Sequence, residues 1–264
     1  MNKYLSVLRM RFLMLLQYRV PAIAGIFTQF FFGFVRIAVF QAFYSTSASQ
    51  PMDLTTTVTY IWITQSLFRL LPWDGDSEVQ EIIRNGNLAY ELTRPIDLYN
   101  LWLSRAVAQR VAPTLLRSIP LVIIALLLPP EYSLKLPALA SIFPFLITLV
   151  LAFILSSTIT NLMNIFILWT ISGEGVNRIL PSLVLLFSGS LIPLPLFPDW
   201  MQTALRYMPF GGLLDIPVRF YTSHLTINEL GSYASIQLSW IFIFILAGRI
   251  LLKIKLKSVI VQGG

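Results

Sequence analysis

The sequence predicts an all-α integral membrane protein with six transmembrane helices, and three observations carry that reading. Hydrophobic residues make up 56% of the 264-residue chain and charged residues 12%, with a mean hydropathy of +0.74; an ordinary soluble domain is about 25% charged. Long uncharged stretches alternate with short polar segments, and each stretch approaches the about 20 residues that a bilayer-crossing helix needs. Lys and Arg gather on alternate connections. So much apolar surface is buried only where lipid replaces water around it. Six spans consume most of the length, so residues 1–264 are expected to form a single membrane domain. The chain has no cysteine, which excludes disulfides and thiolate metal sites. The net charge of +7 fits the membrane sidedness signal better than a nucleic-acid partner.

The first twenty residues spread Lys3, Arg9, Arg11 and Arg19 among apolar positions, without the compact apolar core and small-residue site of a cleavable leader. Leu5, Leu8, Phe12, Leu15 and Leu16 fall at helical spacing with Lys3 and Gln17 opposite. This predicts an amphipathic helix along the membrane surface, its polar face broken by Met10 and Met14. Pro21 suits the first turn of span one, residues 20–43. Spans two and three are expected at 55–71 and 110–128. The 38 residues between Lys135 and Glu174 carry no formal charge. They divide into span four, 141–168, and a turn at Ser172-Gly173-Glu174-Gly175 that leads into span five, 177–194. The 19 uncharged residues between Glu229 and Arg249 place span six at 230–252.

Orientation follows from counting basic residues. With the N-terminus inside, 14 of the 19 Lys and Arg, Arg105 and Arg110 among them, fall on the inner side. Three (Lys135, Arg206, Arg219) fall outside, and Arg36 and Arg117 lie within spans. That bias predicts both termini cytoplasmic, and the multi-pass protein is expected in the plasma (inner) membrane.

Two connections are too long and too patterned to be simple turns. In the inner one, 72–109, Asp76 or Ser77 caps a helix, and Ser77 with Gln80 fits a capping box. Glu78, Glu81 and Arg84 charge that helix, while Val79, Ile82 and Ile83 give it an apolar side. Gly86 ends it in the left-handed position. Pro95 then fixes a turn after Arg94, and Asp97 caps the helix leading into span three. Such a helix either docks onto a cytosolic partner or rests on lipid headgroups, and the pattern admits both equally. The outer connection holds Pro193, Pro195, Pro198, Pro209 and Pro217, five of the 16 prolines. It is nevertheless apolar, and broken apolar backbone survives at membrane depth only under cover of protein or beside a cavity. Two short re-entrant helices, 198–207 and 211–221, are expected, with Asp199 and Trp200 at the entry of the first.

These segments carry a family resemblance. Ile83-Arg84-Asn85-Gly86 through Leu92-Thr93-Arg94-Pro95, and Ser188-Gly189-Ser190-Leu191-Ile192-Pro193-Leu194-Pro195-Leu196-Phe197-Pro198-Asp199-Trp200 followed by Met208-Pro209-Phe210, resemble the permease subunits of ABC-2 type (type V) exporters. The motifs cover about 30 residues, while the topology matches along the whole chain. The resemblance implies an N-terminal elbow helix, six spans, a coupling helix between spans two and three, and re-entrant helices between spans five and six. It assigns ATPase coupling to Glu78, Glu81, Ile82, Ile83, Arg84, Gly86, Arg94 and Pro95. It assigns an outer gate to Gly189, Pro193, Pro195, Phe197, Pro198, Trp200, Pro209 and Phe210. It further implies two partner ATPase subunits and a second permease, identical or paralogous. The chain has no G-x-x-x-x-G-K-[ST] phosphate loop, so ATP and magnesium belong to another polypeptide. No cofactor or metal is expected here, and the chain is not expected to be an enzyme itself.

Inside the spans, Arg36 and Arg117 either line the pathway or a subunit contact, or snorkel to the nearer interface, because a charge at the bilayer centre costs at least about 2.5–3.5 kcal/mol. Asn161 and Asn164 fit bridges between helices better than cargo contacts. Glu174 and Arg178 suit the inner turn. His224, the only histidine, belongs in a solvated outer loop, and the six tryptophans read as interfacial anchors. The leading function is thus the membrane half of an ATP-driven exporter, moving a hydrophobic or amphiphilic molecule outward. The alternative, a secondary (ion-coupled) transporter, would place acidic groups or His within spans and show inverted repeats. A membrane enzyme lacks clustered carboxylates, Cys and His to work with.

Overall fold

A computed structural model describes residues 3–46, 51–170 and 174–257. Among them all regular structure is helical: α1 (Lys3–Leu16), α2 (Arg19–Thr46), α3 (Leu54–Ser66), α4 (Ser77–Arg84), α5 (Leu88–Leu92), α6 (Leu98–Leu126), α7 (Leu139–Ile167), α8 (Glu174–Phe187), α9 (Asp199–Tyr207), α10 (Asp215–Tyr221) and α11 (Leu230–Leu256). Four stretches are long and apolar enough to cross a membrane: Arg19–Ser45, Leu98–Leu126, Leu139–Ile167 and Ile227–Leu256.

The other two expected spans are shorter than the sequence suggests. Only 13 residues of α3 are α-helical, followed by a tight 3-10 turn, Phe68–Leu70; at 1.5 Å per residue α3 reaches about 20 Å, short of a hydrocarbon core of about 30 Å. Every residue from Thr57 to Ser66 is buried, so α3 is wrapped by protein. Three of its hydroxyls are satisfied locally: Thr59 Oγ1 donates to the Thr55 carbonyl, Thr64 Oγ1 to Ile61 and Ser66 Oγ to Ile63. α8 stops at Phe187, seven residues before the expected end of span five, because Gly189 turns the chain at φ +82° and Pro193 and Pro195 prevent the helix from resuming. α6 starts at Leu98, twelve residues before the expected start of span three. Asp97 caps it, accepting from the Asn100 amide at 2.8 Å, and Pro113 and Pro120 are carried inside the helix. The remaining bounds agree with the expected 20–43, 141–168 and 230–252 to within a few residues. The anticipated turn at Ser172-Gly173 lies outside the described residues.

α7 packs on α6, α10 and α11, and α6 packs on α1, α2 and α3. The main core gathers Ile37, Trp62, Leu71, Leu121, Leu155, Leu213 and Val218. Close approach of α2 and α3 depends on Gly33, where a Cβ would lie 2.5 Å from the Trp62 ring. Phe30 stacks on that ring at 5.7 Å, Phe34 meets it edge-on at 5.4 Å, and Trp62 Nε1 donates to the Tyr132 carbonyl at 2.6 Å. Trp62 and Trp102 are fully buried core residues, correcting their reading as interfacial anchors, whereas Trp200 is 74% exposed. On α1 the expected apolar stripe is kept at Leu8, Phe12, Leu15 and Leu16, half-buried together with Val7, while Leu5 is 55% exposed.

Candidate coupling and gating sites

α1, α4 and the C-terminal part of α11 meet at one end of the bundle. Lys3 Nζ donates to the Pro95 carbonyl, and Tyr4 Oη accepts from the Asp97 amide at 3.0 Å. From α11, Arg249 donates to Asn100 at 2.8 Å and lies over the Tyr99 ring.

At this end the chain between Leu71 and Arg84 is clamped from three helices. Asp76 caps α4, its carboxylate accepting from the Glu78 and Val79 amides at 3.0 and 3.3 Å. The expected Ser77–Gln80 box is therefore not formed; Asp76 takes the cap because Ser77 is already the first helical residue. Arg105 on α6 grips the same carboxylate with two nitrogens, at 2.8 and 3.1 Å, and reaches Glu78 as well. Arg11 on α1 closes on Glu78 from the other side. Asn164 Oδ1 on α7 accepts from the Asp76 amide at 2.8 Å, and a Cβ at Gly75 would sit 2.6 Å from that oxygen. Five residues along α6, Arg110 donates to Thr160 Oγ1 and to the Leu71 carbonyl, both at 2.9 Å, and to the Asp74 carbonyl. Burial raises the Asp76 carboxyl, but the Arg105 hydrogen bonds and charge outweigh it and hold the group below the ordinary carboxylate value.

Arg105 and Arg110 were missed by sequence reasoning, which spent both on sidedness. They are 5% and 0% exposed, so neither is a loop charge. The available signal was Asp74-Gly75-Asp76 ahead of two arginines on one helix, which composition alone could not pair. The assigned coupling residues divide between two faces. Ile82 and Ile83 turn inward onto a cluster of Val79, Leu88, Tyr99, Trp102 and Leu252. Gly86 closes α4 at φ +71°. Glu78, Glu81, Arg84, Arg94 and Pro95 are exposed, and so are Tyr90 at 72% and Leu92 at 43%, two residues outside the assigned coupling set. Asn161 bridges helices weakly, donating to the Tyr99 carbonyl at 3.4 Å.

At the opposite end the segment after α8 folds over the bundle and is pinned by Asp215. Its carboxylate accepts from Tyr60 Oη on α3 at 2.8 Å and from the Leu194 amide at 3.1 Å, and its own amide donates to the Ser188 carbonyl at 3.0 Å. Gly189 lies in this contact, where a Cβ would approach Tyr60 Oη to 2.2 Å. Arg36 donates to the Ser190 carbonyl, so it ties α2 to the cap. Gln202 of α9 donates to the Pro195 and Phe197 carbonyls at 3.0 and 2.7 Å, and Gln237 of α11 donates to Gly212 and Thr148 carbonyls at 2.7 and 3.0 Å. Pro193, Pro195 and Pro209 are buried in this cap, Phe197 is half-buried, Phe210 stacks on Phe187, and Pro198 and Trp200 stand at the surface. Asp215 and Tyr60 carried no signal in the sequence, since one lay in the proline-rich segment and the other in a stretch read as lipid-facing. Arg117 donates to the Pro21 carbonyl at 3.3 Å, joining α6 to the first turn of α2. His224 is half-buried, not fully solvated.

The two sites lie toward opposite ends of α7, where Asn164 near its last turn holds the Asp76 amide and Ser141 in its first turn meets Ser223 just past α10. Between them Tyr60, midway along α3, meets Asp215, and Leu71, beyond the end of α3, meets Arg110. Comparison with curated proteins and with solved structures returns no match. A sequence model of one family does match, over residues 22–263, and so the chain belongs to the ABC-2 family of transporter proteins.

Proposed function

We propose that this permease is driven by two separate ATPase subunits and moves a hydrophobic or amphiphilic molecule outward across the plasma (inner) membrane. A second permease, identical or paralogous, completes the pathway. In this reading α2, α3, α6, α7, α8 and α11 are the six spans, α1 is the elbow, α4 and α5 are the cytoplasmic coupling segment, and α9 and α10 are re-entrant. Both termini face the cytoplasm.

The observation that carries the reading is the clamp on α4. One side of α4 is held by Arg11, Arg105 and Asn164 from three different helices, while the other presents Glu81 and Arg84 beside the exposed Tyr90. A push on that surface cannot be absorbed by a loose loop. It passes into α6 and α7 and, through the Leu71–Asp76 segment, into α3. Because α3 holds Asp215 through Tyr60, tilting it strains the contact that keeps the cap folded over the bundle. An apolar cap lined by Pro193, Pro195, Phe197 and Phe210 favours release of an apolar or amphiphilic cargo.

Co-purification tests this. The tagged chain is expressed with its ATPase, and recovery of the ATPase is compared for the wild type, Arg84→Glu and Tyr90→Ala. Loss of the ATPase with an unchanged permease elution profile is the expected result. Full recovery of the ATPase by both variants removes α4 and α5 as the coupling surface.

A further inference from the structure

The cap borders an open cavity of about 320 Å³ to which the transport reading assigns no role. It is built by three helices. Arg206 comes from the last turn of α9, Arg219 from the last turn of α10, and Tyr233 from the start of α11. Both guanidiniums lie over the one Tyr233 ring, at 5.0 and 5.7 Å from its centre. Two cations sharing one ring repel each other, and a single ring gains only about 0.5–2 kcal/mol per cation, so the arrangement calls for a common anion.

The nearby carboxylates answer this charge only in part. Asp215, which also lines the cavity, pairs with Arg219 through Oδ2 at 3.6 Å, while its Oδ1 is taken by Tyr60 and Leu194; Arg206 gains nothing from it. Glu229 feels the charge of both arginines, but its Oε2 is held by the Thr226 amide and hydroxyl at 2.9 and 3.0 Å and it makes no ion pair with either among the described residues. Meanwhile Arg219 Nε is buried with no acceptor among the described residues, a donor left without its partner on a residue that borders a cavity large enough for a small ligand. Asp199 also lines the cavity, on the wall of α9, and is suited to an ammonium rather than a second anion.

We infer that this cavity binds a phosphate group, Arg206 and Arg219 gripping its oxygens and Tyr233 fixing both guanidiniums. Planar, forked guanidiniums match phosphate geometry better than point charges do. The phosphate belongs either to a lipid headgroup or to a small soluble phosphate compound, and an amine close to the phosphate would meet Asp199. The inference is independent of ATPase coupling, since it concerns the cap alone.

The test uses the full chain purified in detergent and three probes: dihexanoylphosphatidylethanolamine, inorganic phosphate and uncharged dihexanoylglycerol. Binding is read by calorimetry for the wild type, Arg206→Gln and Arg219→Gln. Arg206 is exposed, so its variant keeps the cap even if Arg219→Gln loosens Asp215. Saturable binding of the phospholipid, weakened about tenfold or more in Arg206→Gln, supports the site with a lipid headgroup as its ligand. The same dependence for inorganic phosphate supports it with a soluble phosphate compound. Binding of neither, equal binding of dihexanoylglycerol, or affinity unchanged in Arg206→Gln overturns it.

Discussion

Arg105 sits where three helices and one cap meet, and its removal leaves more behind than it takes away. The side chain is 5% exposed and its partner Asp76 only 13%, so Arg105→Gln strands a carboxylate that two backbone amides also need. Breaking a buried pair from one side costs about 3 kcal/mol or more, and thermal unfolding in detergent should show a loss of that size. Arg105→Lys keeps the charge but not the two-nitrogen grip and should fall between. The pH dependence follows from Asp76 titrating below its unfolded value of about 3.9. Above that pH the pair contributes in full; as pH falls through the lower folded value the contribution is lost, because the unfolded chain binds the proton first. The deficit of Arg105→Gln should therefore narrow when unfolding is repeated below about pH 4. A gap that stays constant on acidification would separate the stability of this region from the Asp76 charge.

Among elements, the pairing of α2 with α3 is the most exacting, because α3 is short and relies on its neighbours for every contact. Gly33 leaves room for the Trp62 ring, and Ala at that position would place a methyl 2.5 Å from it. Overpacking of this kind costs about 1–3 kcal/mol. Gly33→Ala should lower the unfolding temperature, and Trp62→Phe in the same chain should recover part of the loss, since the two substitutions share one contact. Additive losses in the double variant would mean that the ring is not what Gly33 accommodates. The same pair shows what could be read from the sequence. Hydropathy located α2, α7 and α11 to within a few residues, because each is a long apolar stretch between charges. It overestimated α3 and α8, since an apolar stretch looks alike whether protein or lipid surrounds it and whether or not it is helical to its end. Local chemistry was legible: Asp97 as a cap, Gly86 at positive φ, and the prolines that break the cap segment. Long-range pairing was not. Nothing near Asp76 points to Arg105, and nothing near Asp215 points to Tyr60, for these contacts span 29 and 155 residues.

For the whole molecule, the decisive quantity is which end of the bundle faces which side of the membrane, because outward transport driven from the cytoplasm requires α4 and the cap to lie on opposite faces. The packing separates them: along α7, Asn164 near one end holds the Asp76 amide at the head of α4, while Ser141 near the other meets Ser223 just past α10. The basic residues that set sidedness are fewer than a count of the sequence implies, because Arg105 and Arg110 are spent inside the protein. The bias survives without them, as Lys3, Arg9, Arg84, Arg94, Lys253, Lys255 and Lys257 still cluster at one end, and short-loop charge sets orientation. The absence of cysteine makes this measurable without background labelling. Glu81→Cys and Trp200→Cys place one thiol at an exposed position at each end. A membrane-impermeant maleimide should label Trp200→Cys in intact cells and Glu81→Cys only after the membrane is opened. The reverse pattern would turn the coupling surface outward and exclude a cytoplasmic ATPase as its partner. Labelling of both from the same side would place the cap and α4 on one face, which no path through the membrane from α4 to the cap allows.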